Sequence, residues 1–393
     1  MERIVIFIPY FFPGSLSGGP ALSVDNISRY LSNHFRVYIV TRCHDYGQRI
    51  DYQDIRTDQW LDIDNVNIMY VSRGLKSYLA ALLAVRRTSP SVIYLNSVFG
   101  LVYSFVPYLF STVFGFFPTV RSIIISPRGE LDPAALDLKA AKKGVFLSFF
   151  RQLVRFFAGM TFFHSTSRNE SLDISNVLKL PSRNIFQIPN IPRSPTEHTV
   201  DPDSTLMSVP LRIVFLSRIV PKKNLCFAIN ILAKVKSGII FDIYGPIHDK
   251  NYWKECMSAA SALPTNIGIR YRGPISSEQV PFVLSQYSLM LFPTLGENYG
   301  HVIYESLNSA CPVLISDKTP WHQSVLGKAG WALDLKRPEM FSSLIDSLSE
   351  NRSMLEEASR QAISVARSHY YNDYSTYIKL FSMPYDVSEA NLP

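Results

Sequence analysis

Two glutamates, Glu297 and Glu305, stand eight residues apart in GENYGHVIYES (296–306), between two short apolar runs. An isolated pair at that spacing is common by chance, so its surroundings must supply the meaning. Glu297 follows the run LMLFP, and Gly300 stands where a helix would start. Glu305 would then fall early in that helix, near its positive end, with the backbone N–H groups around 299–302 facing any anion. A second segment, LSRIVPKKNL (216–225), sets Arg218 and Lys223 five residues apart after a strand-like run, with Pro221 to stiffen the turn. A guanidinium and an ammonium converging on one strand end suit a diphosphate, the first bidentate and the second as a point charge. A third, GSLSGGPA (14–21), links a strand to a helix and puts Gly18 and Gly19 where a phosphate could approach backbone amides. It is not G-x-G-x-x-G, so it gives no support to a dinucleotide site. Carboxylates flanking an anion site can accept hydrogen bonds from the hydroxyls that sugars and ribose supply. The plainer alternatives are a solvated basic turn for Arg218 and Lys223, and helix stabilisation for Glu305.

These residues need strand ends to hold them. RIVIFIPYF, FRVYIVTRC, SVIYLNS, TVRSIIIS and GMTFFHSTS are short apolar runs separated by helix-length segments, which predicts a parallel sheet covered on both faces. The pattern restarts with LRIVFLSRI, IIFDIYGP, IGIRYRG, SLMLFPT and PVLISD. Between the two series lies 189–210, rich in Pro, Ser, Thr and Asp, which reads as a linker. The expected architecture is α/β, with two Rossmann-like doubly wound domains and an interdomain cleft formed by facing strand ends. Residues 1–195 would form the first domain and 196–365 the second, with 366–393 packing back on the first.

The 393 residues carry a net charge of +7, and it is unevenly spread: 65–193 holds 15 Lys and Arg against 5 Asp and Glu, whereas 201–393 holds 18 of each. Basic charge mixed with aromatics suits an anionic lipid surface or a nucleic acid, but no nucleic-acid module is visible. Residues 88–120 contain no charge and are long enough to span a bilayer. Pro90, Pro107, Pro118 and Asn96 interrupt them, so the segment reads as a strand (92–97), a buried or interfacial helix (98–117) and the start of the next strand. In 139–159, Lys139, Lys142, Lys143, Arg151 and Arg155 alternate with Phe and Leu, as in a helix lying on a membrane. Four scattered cysteines without C-x-x-C spacing, and an N-terminus that reads as a first strand, point to a reducing, cytoplasmic setting. The acidic runs at 62–64 and 201–203 are poorly placed for a metal.

Taken together, SRIVPKKN, IYGP, FPTLGENYGHVIYESLNSACPVLISD, GGPA and PNI resemble retaining glycosyltransferases of family 4, with a GT-B fold, most strongly over 211–335. ISPRGELDPAALDLKAAKKG is similar to the branch that builds bacterial lipopolysaccharide, O antigen, capsule or exopolysaccharide. The resemblance implies a nucleoside diphosphate sugar as donor, a lipid-linked saccharide as acceptor, and no metal or other cofactor. It implies that Glu305 binds the ribose hydroxyls and Glu297 the transferred sugar. Arg218 and Lys223 would hold the diphosphate, Gly19 would face it, and Asn298, Tyr299, Gly300 and His301 would complete the donor site. Arg128 stands where relatives of this branch often carry His, and would clamp either acceptor phosphate or donor. Asn224 replaces a common Gly in a turn that Asn tolerates. The enzyme would sit peripherally on the inner face of the plasma membrane, docking through 98–117 and 139–159. The alternatives are a nucleotide-sugar epimerase of the same fold and a non-catalytic membrane-associated assembly protein.

Overall fold

The computed structural model describes residues 1–14, 16, 18–137, 140–195, 210–370 and 373–383. Most of the expected linker (196–209), Lys139 and the last ten residues lie outside them. The chain divides into two compact units, one of residues 1–191 joined by the segment that begins at Asp373, the other of Pro192–Asn372.

The first unit runs β1 (Arg3–Phe7), α1 (Gly19–Ser32), β2 (Arg36–Arg42), β3 (Trp60–Ile63), β4 (Val66–Val71), α2 (Leu75–Arg87) and β5 (Val92–Leu95). A π-helical turn (Leu101–Phe105) then leads into α3 (Val106–Thr112), followed by β6 (Ser122–Ile125), α4 (Pro133–Asp137), α5 (Ala140–Phe156), β7 (Thr161–Ser165), α6 (Arg168–Leu178) and β8 (Ile185–Gln187). The sheet order is β3-β4-β2-β1-β5-β6-β7-β8. Only the β3–β4 pair is antiparallel, closed by Asp64 and Asn65 at φ 52° and 66°, the left-handed pair that a two-residue hairpin requires. The acidic run at 62–64 is therefore turn chemistry. Side chains of β1 alternate between two cores. Ile4 and Ile6 pack with Val24 and Ile27 of α1, and Val5 and Phe7 with Leu82 of α2 and Phe150 of α5.

The segment 88–120 folds as β5, the π-turn and α3, and among the described residues no helix is long and apolar enough to cross a membrane. The helix expected over 98–117 is shorter, 101–112, ending ahead of Gly115, whose φ of 56° leaves the helical region.

The second unit contains β9 (Leu211–Leu216), α7 (Leu225–Leu232), β10 (Ile239–Tyr244), α8 (Lys250–Ala260), β11 (Ile267–Gly273), α9 (Val280–Leu284) and β12 (Leu289–Phe292). It continues with α10 (His301–Asn308), β13 (Val313–Ser316), α11 (His322–Val325), β14 (Gly330–Leu333), α12 (Pro338–Glu350) and α13 (Ser353–Tyr370). Helix α13 runs through 365/366, where the sequence suggested a boundary. All neighbours are parallel in the order β11-β10-β9-β12-β13-β14, which is the doubly wound order with its reversal between β9 and β12. A last helix, α14 (Ser375–Phe381), returns to the first unit and buries Tyr377, Leu380 and Phe381 in the core shared by β1 and α1.

Candidate active site

In an open parallel sheet, ligands bind where the strand order reverses, because the loops on either side diverge there. The loops after β9 and β12 flank that point in the second unit, and they carry Arg218, Lys223 and Glu297. The two loops are bonded to each other. Leu295 N donates to Lys222 O at 2.9 Å, and Thr294 Oγ1 lies 3.1 Å from the same carbonyl and 3.0 Å from Glu297 Oε1. Lys223 Nζ donates to Glu297 Oε1 at 2.5 Å, with the two side chains only 15% and 11% exposed. Burial pulls the Lys223 ammonium below the ordinary lysine range, helped by Arg218 and Lys222 and opposed by Glu297. Expected to hold the diphosphate and the transferred sugar respectively, Lys223 and Glu297 form one ion pair, leaving the ammonium two further N–H donors. Arg218 is exposed and makes no hydrogen bond or ion pair with a described residue.

Asn224 holds the left-handed conformation at φ 62°, and its Nδ2 donates to Pro293 O at 2.9 Å. It meets the turn's backbone demand and ties the β9 loop to the end of β12. Gly300 precedes α10 at φ 82°, and a Cβ there would lie 3.0 Å from Ile303 Cδ1. The first turn of α10 holds no carboxylate, so its amide dipoles suit an anion. Tyr299 is buried, accepts a hydrogen bond from Trp321 Nε1 at 2.5 Å through its carbonyl, and meets His301 edge-on at 4.8 Å. Asn298 lies between Glu297 and Tyr299 in the same loop.

Glu305 is the fifth residue of α10, not part of its first turn, so the helix dipole does little for it. It is 9% exposed, and its carboxylate makes no hydrogen bond to a described residue. Burial pushes its carboxyl up to about 7, against the pull of Arg193. Arg193 was not foreseen from sequence. It donates to Ser277 O at 2.8 Å, and its own carbonyl accepts from Tyr304 Oη at 2.7 Å. Thr294 also escaped notice, its only signal being a hydroxyl residue at the end of an apolar strand.

Gly19 and Arg128 belong to the first unit. Gly19 opens α1 after Gly18, at φ 66°, in the loop that follows β1 at that sheet's reversal between β1 and β5. The first turn of α1 also lacks a carboxylate. Arg128, at φ 55°, commits all three guanidinium nitrogens to the protein: Nε to Asn96 Oδ1 (2.9 Å), Nη1 to Asn190 Oδ1 (2.6 Å) and Nη2 to Tyr94 Oη (2.9 Å). Tyr94 continues to His164 Nδ1 at 2.8 Å, a ring that burial and Arg128 hold down at about 3, neutral at ordinary pH. Arg128 thus cross-links the ends of β5, β6 and β7 and the segment before Ile191. Among the described residues, no group of three or more His, Cys, Asp or Glu could hold a metal ion.

Residues 202–365 match the model of the family "Glycosyl transferases group 1". The two Rossmann-like units share the GT-B fold of the glycosyltransferase structures to which the chain is similar. Among solved structures, Anabaena Alr3699/HepE in complex with UDP and glucose is similar over 97% of this chain and 98% of that one, at 14% identity and TM-score 0.69. Sucrose-phosphate synthase from Thermosynechococcus elongatus is similar over 97% of both chains, at 11% identity and TM-score 0.72. WaaG, a glycosyltransferase involved in lipopolysaccharide biosynthesis, is similar over 96% of this chain and 98% of that one, at 12% identity and TM-score 0.62. No curated protein sequence matches the chain.

Proposed function

We propose that the protein transfers a sugar from a nucleoside diphosphate sugar to a hydroxyl of a lipid-linked saccharide in bacterial surface polysaccharide synthesis, with retained anomeric configuration and no metal. The observation that carries the donor site is Glu305, a nearly buried carboxylate with no hydrogen bond to a described residue, in the helix that follows the Lys223–Glu297 pair. A protein keeps such a group against its desolvation cost where a ligand supplies the missing donors. Ribose hydroxyls fit that requirement. UDP and glucose in the Alr3699/HepE structure favour UDP as the donor's nucleotide.

In the reaction, the bond from the sugar C1 to the β-phosphate oxygen breaks and the diphosphate leaves with the electron pair. The acceptor oxygen bonds to C1, and its proton passes to the departing phosphate. Charge grows on the diphosphate, so Arg218, the remaining Lys223 donors and the start of α10 lower the barrier electrostatically. Asn298, Tyr299 and His301 line the sugar side, with Glu297 oriented by Lys223 and Thr294.

Membrane contact rests on α2, the π-turn with α3, and α5. They expose Leu75, Leu79 and Leu83; Leu101, Val113 and Phe114; and Val145, Phe149 and Phe156. No Asp or Glu occurs in 65–129 or 140–169, whereas Arg86, Arg87, Lys142, Arg151 and Arg155 lie within these elements. Apolar side chains on elements whose charged residues are all cations suit an anionic bilayer.

The test is a thermal-shift series with UDP-, GDP- and TDP-sugars, followed by transfer of radiolabelled sugar to lipid extract. A specific shift and labelled lipid are expected. No stabilisation by any donor, or isomerisation of the donor without transfer, refutes the proposal. Proton NMR of the product's anomeric centre tests retention, and activity in chelator tests independence from metal.

A further inference from the structure

Arg42 ends β2, at the carboxyl edge of the first sheet. Its guanidinium carbon lies 5.4 Å over the ring of Tyr10, which follows β1, and 5.4 Å over the ring of Tyr103 in the π-turn after β5. These contacts use the flat faces of the cation and leave its N–H edge. Arg42 makes no hydrogen bond or ion pair with a described residue, although its Nε is buried. The neighbouring acids are engaged elsewhere. Asp45 accepts from the amides of Leu16 (3.0 Å) and Tyr46 (2.7 Å), Asp51 pairs with Arg73 (2.9 Å), and Asp58 accepts from Ser72 N (2.9 Å) and Oγ (2.5 Å). A guanidinium held by two rings, with a buried donor unsatisfied, is arranged for a planar fork of acceptor oxygens, which phosphate presents.

The position of the site indicates what carries the phosphate. Tyr103 packs 5.8 Å from Tyr78 of α2, whose hydroxyl donates to Val102 O. The same π-turn exposes Leu101, 63% accessible, on the apolar cationic surface described above. On the opposite flank Tyr10 meets Tyr46 edge-on at 5.3 Å. Single turns of π-helix are rare and recur at functional sites.

We infer that Arg42, clamped between Tyr10 and Tyr103, is the phosphate anchor of the acceptor, binding the diphosphate that joins its saccharide to its lipid. The inference rests on the proposal that the acceptor is lipid-linked. A phosphate could also come from a bilayer headgroup, and the test separates the two.

The full chain is sedimented with phosphatidylcholine vesicles containing polyprenyl diphosphate, and in parallel with vesicles containing phosphatidylglycerol. Arg42→Gln is expected to weaken binding to the polyprenyl diphosphate vesicles about tenfold or more, the worth of a charge-assisted hydrogen-bond pair. Loss confined to those vesicles assigns the site to the acceptor; equal loss on phosphatidylglycerol assigns it to headgroups. Unchanged binding of Arg42→Gln to both overturns the site. Tyr10→Leu, which keeps the charge and removes one clamping ring, is expected to lose part of the same binding, and no loss counts against the clamp. Far-UV circular dichroism matching wild type certifies the fold of both variants, and donor thermal shift, read from the other unit, should be unaltered. A wild-type protein that shows no donor shift refutes the proposed reaction and leaves the phosphate result standing.

Discussion

Replacing Glu305 by Gln should make the protein more stable and abolish donor binding. The wild-type carboxyl titrates at about 7 in the folded chain instead of near 4.5, because burial disfavours its charged form. The folded state therefore holds this proton more tightly than the unfolded state. Stability is unaffected by this group below pH 4.5, falls as pH rises from 4.5 to 7, and is lower by a constant amount above. That amount is about 3 kcal/mol, from 1.36 kcal/mol for each pH unit between the two values. Glu305→Gln cannot ionise, so at pH 8 it should gain up to about 3 kcal/mol over wild type, with the gain vanishing at pH 4.5. Urea unfolding from pH 4.5 to 8 measures this directly. Calorimetry of UDP-sugar binding in buffers of different ionisation enthalpy supplies the second half. If hydroxyls of the donor favour the carboxylate, wild type releases close to one proton per donor at pH 6, and the variant binds none. A pH-independent difference in stability, or full donor affinity in Glu305→Gln, would refute the reasoning.

Glu297→Gln leaves the Lys223 ammonium without its partner in a site 15% exposed and should cost about 3 kcal/mol, most of it recovered in a double variant with Lys223→Met; additive losses by urea titration would show the pair to be uncoupled. Lys223→Ala strands Glu297 in the same way, so its loss of transfer must be scored per folded molecule. Asn224→Gly keeps the φ 62° turn and loses only the bond to Pro293, whereas Asn224→Ala loses both, so Ala should be about 1 kcal/mol the less stable. Arg128→Ala removes three side-chain hydrogen bonds and should cost about 3 kcal/mol, with UDP-sugar affinity unchanged in the folded fraction; a pure loss of affinity at unchanged melting temperature would restore the clamp role.

The doubly wound pattern was legible because buried parallel strands are continuous apolar runs, and the polar motifs after β9 and β12 sit at their ends by that logic. Exposed or short strands left no such trace: β3 is WLDI, half-exposed, and β8 has three residues. Position along the chain identified Glu297 and Lys223 but not their bond, since the partners are 74 residues apart and only the β9–β12 adjacency joins them. Arg128 is a related case. Its motif suggested a ligand clamp, while its donors go to Asn96, Asn190 and Tyr94, which only the folded sheet assembles. The alternating cations and rings of 142–159 did announce an exposed aromatic face. The leucine stripe of α2 did not stand out, because its spacing also fits a helix buried on that side.

The return of α14 to the first unit bears on how the protein is made. Tyr377, Leu380 and Phe381 are wholly buried against β1 and α1, each worth about 1.5–3 kcal/mol, together comparable to the whole stability of a domain. A nascent chain that has emerged only to residue 191 lacks this contribution, and at about 5–20 residues per second the ribosome takes on the order of ten seconds or more to supply it. The unit synthesised first is therefore completed last, and the second unit, whose residues are contiguous, can fold ahead of it. A chain that stops between α13 and α14 has every described element of the second unit but lacks the three side chains that fill the core of the first.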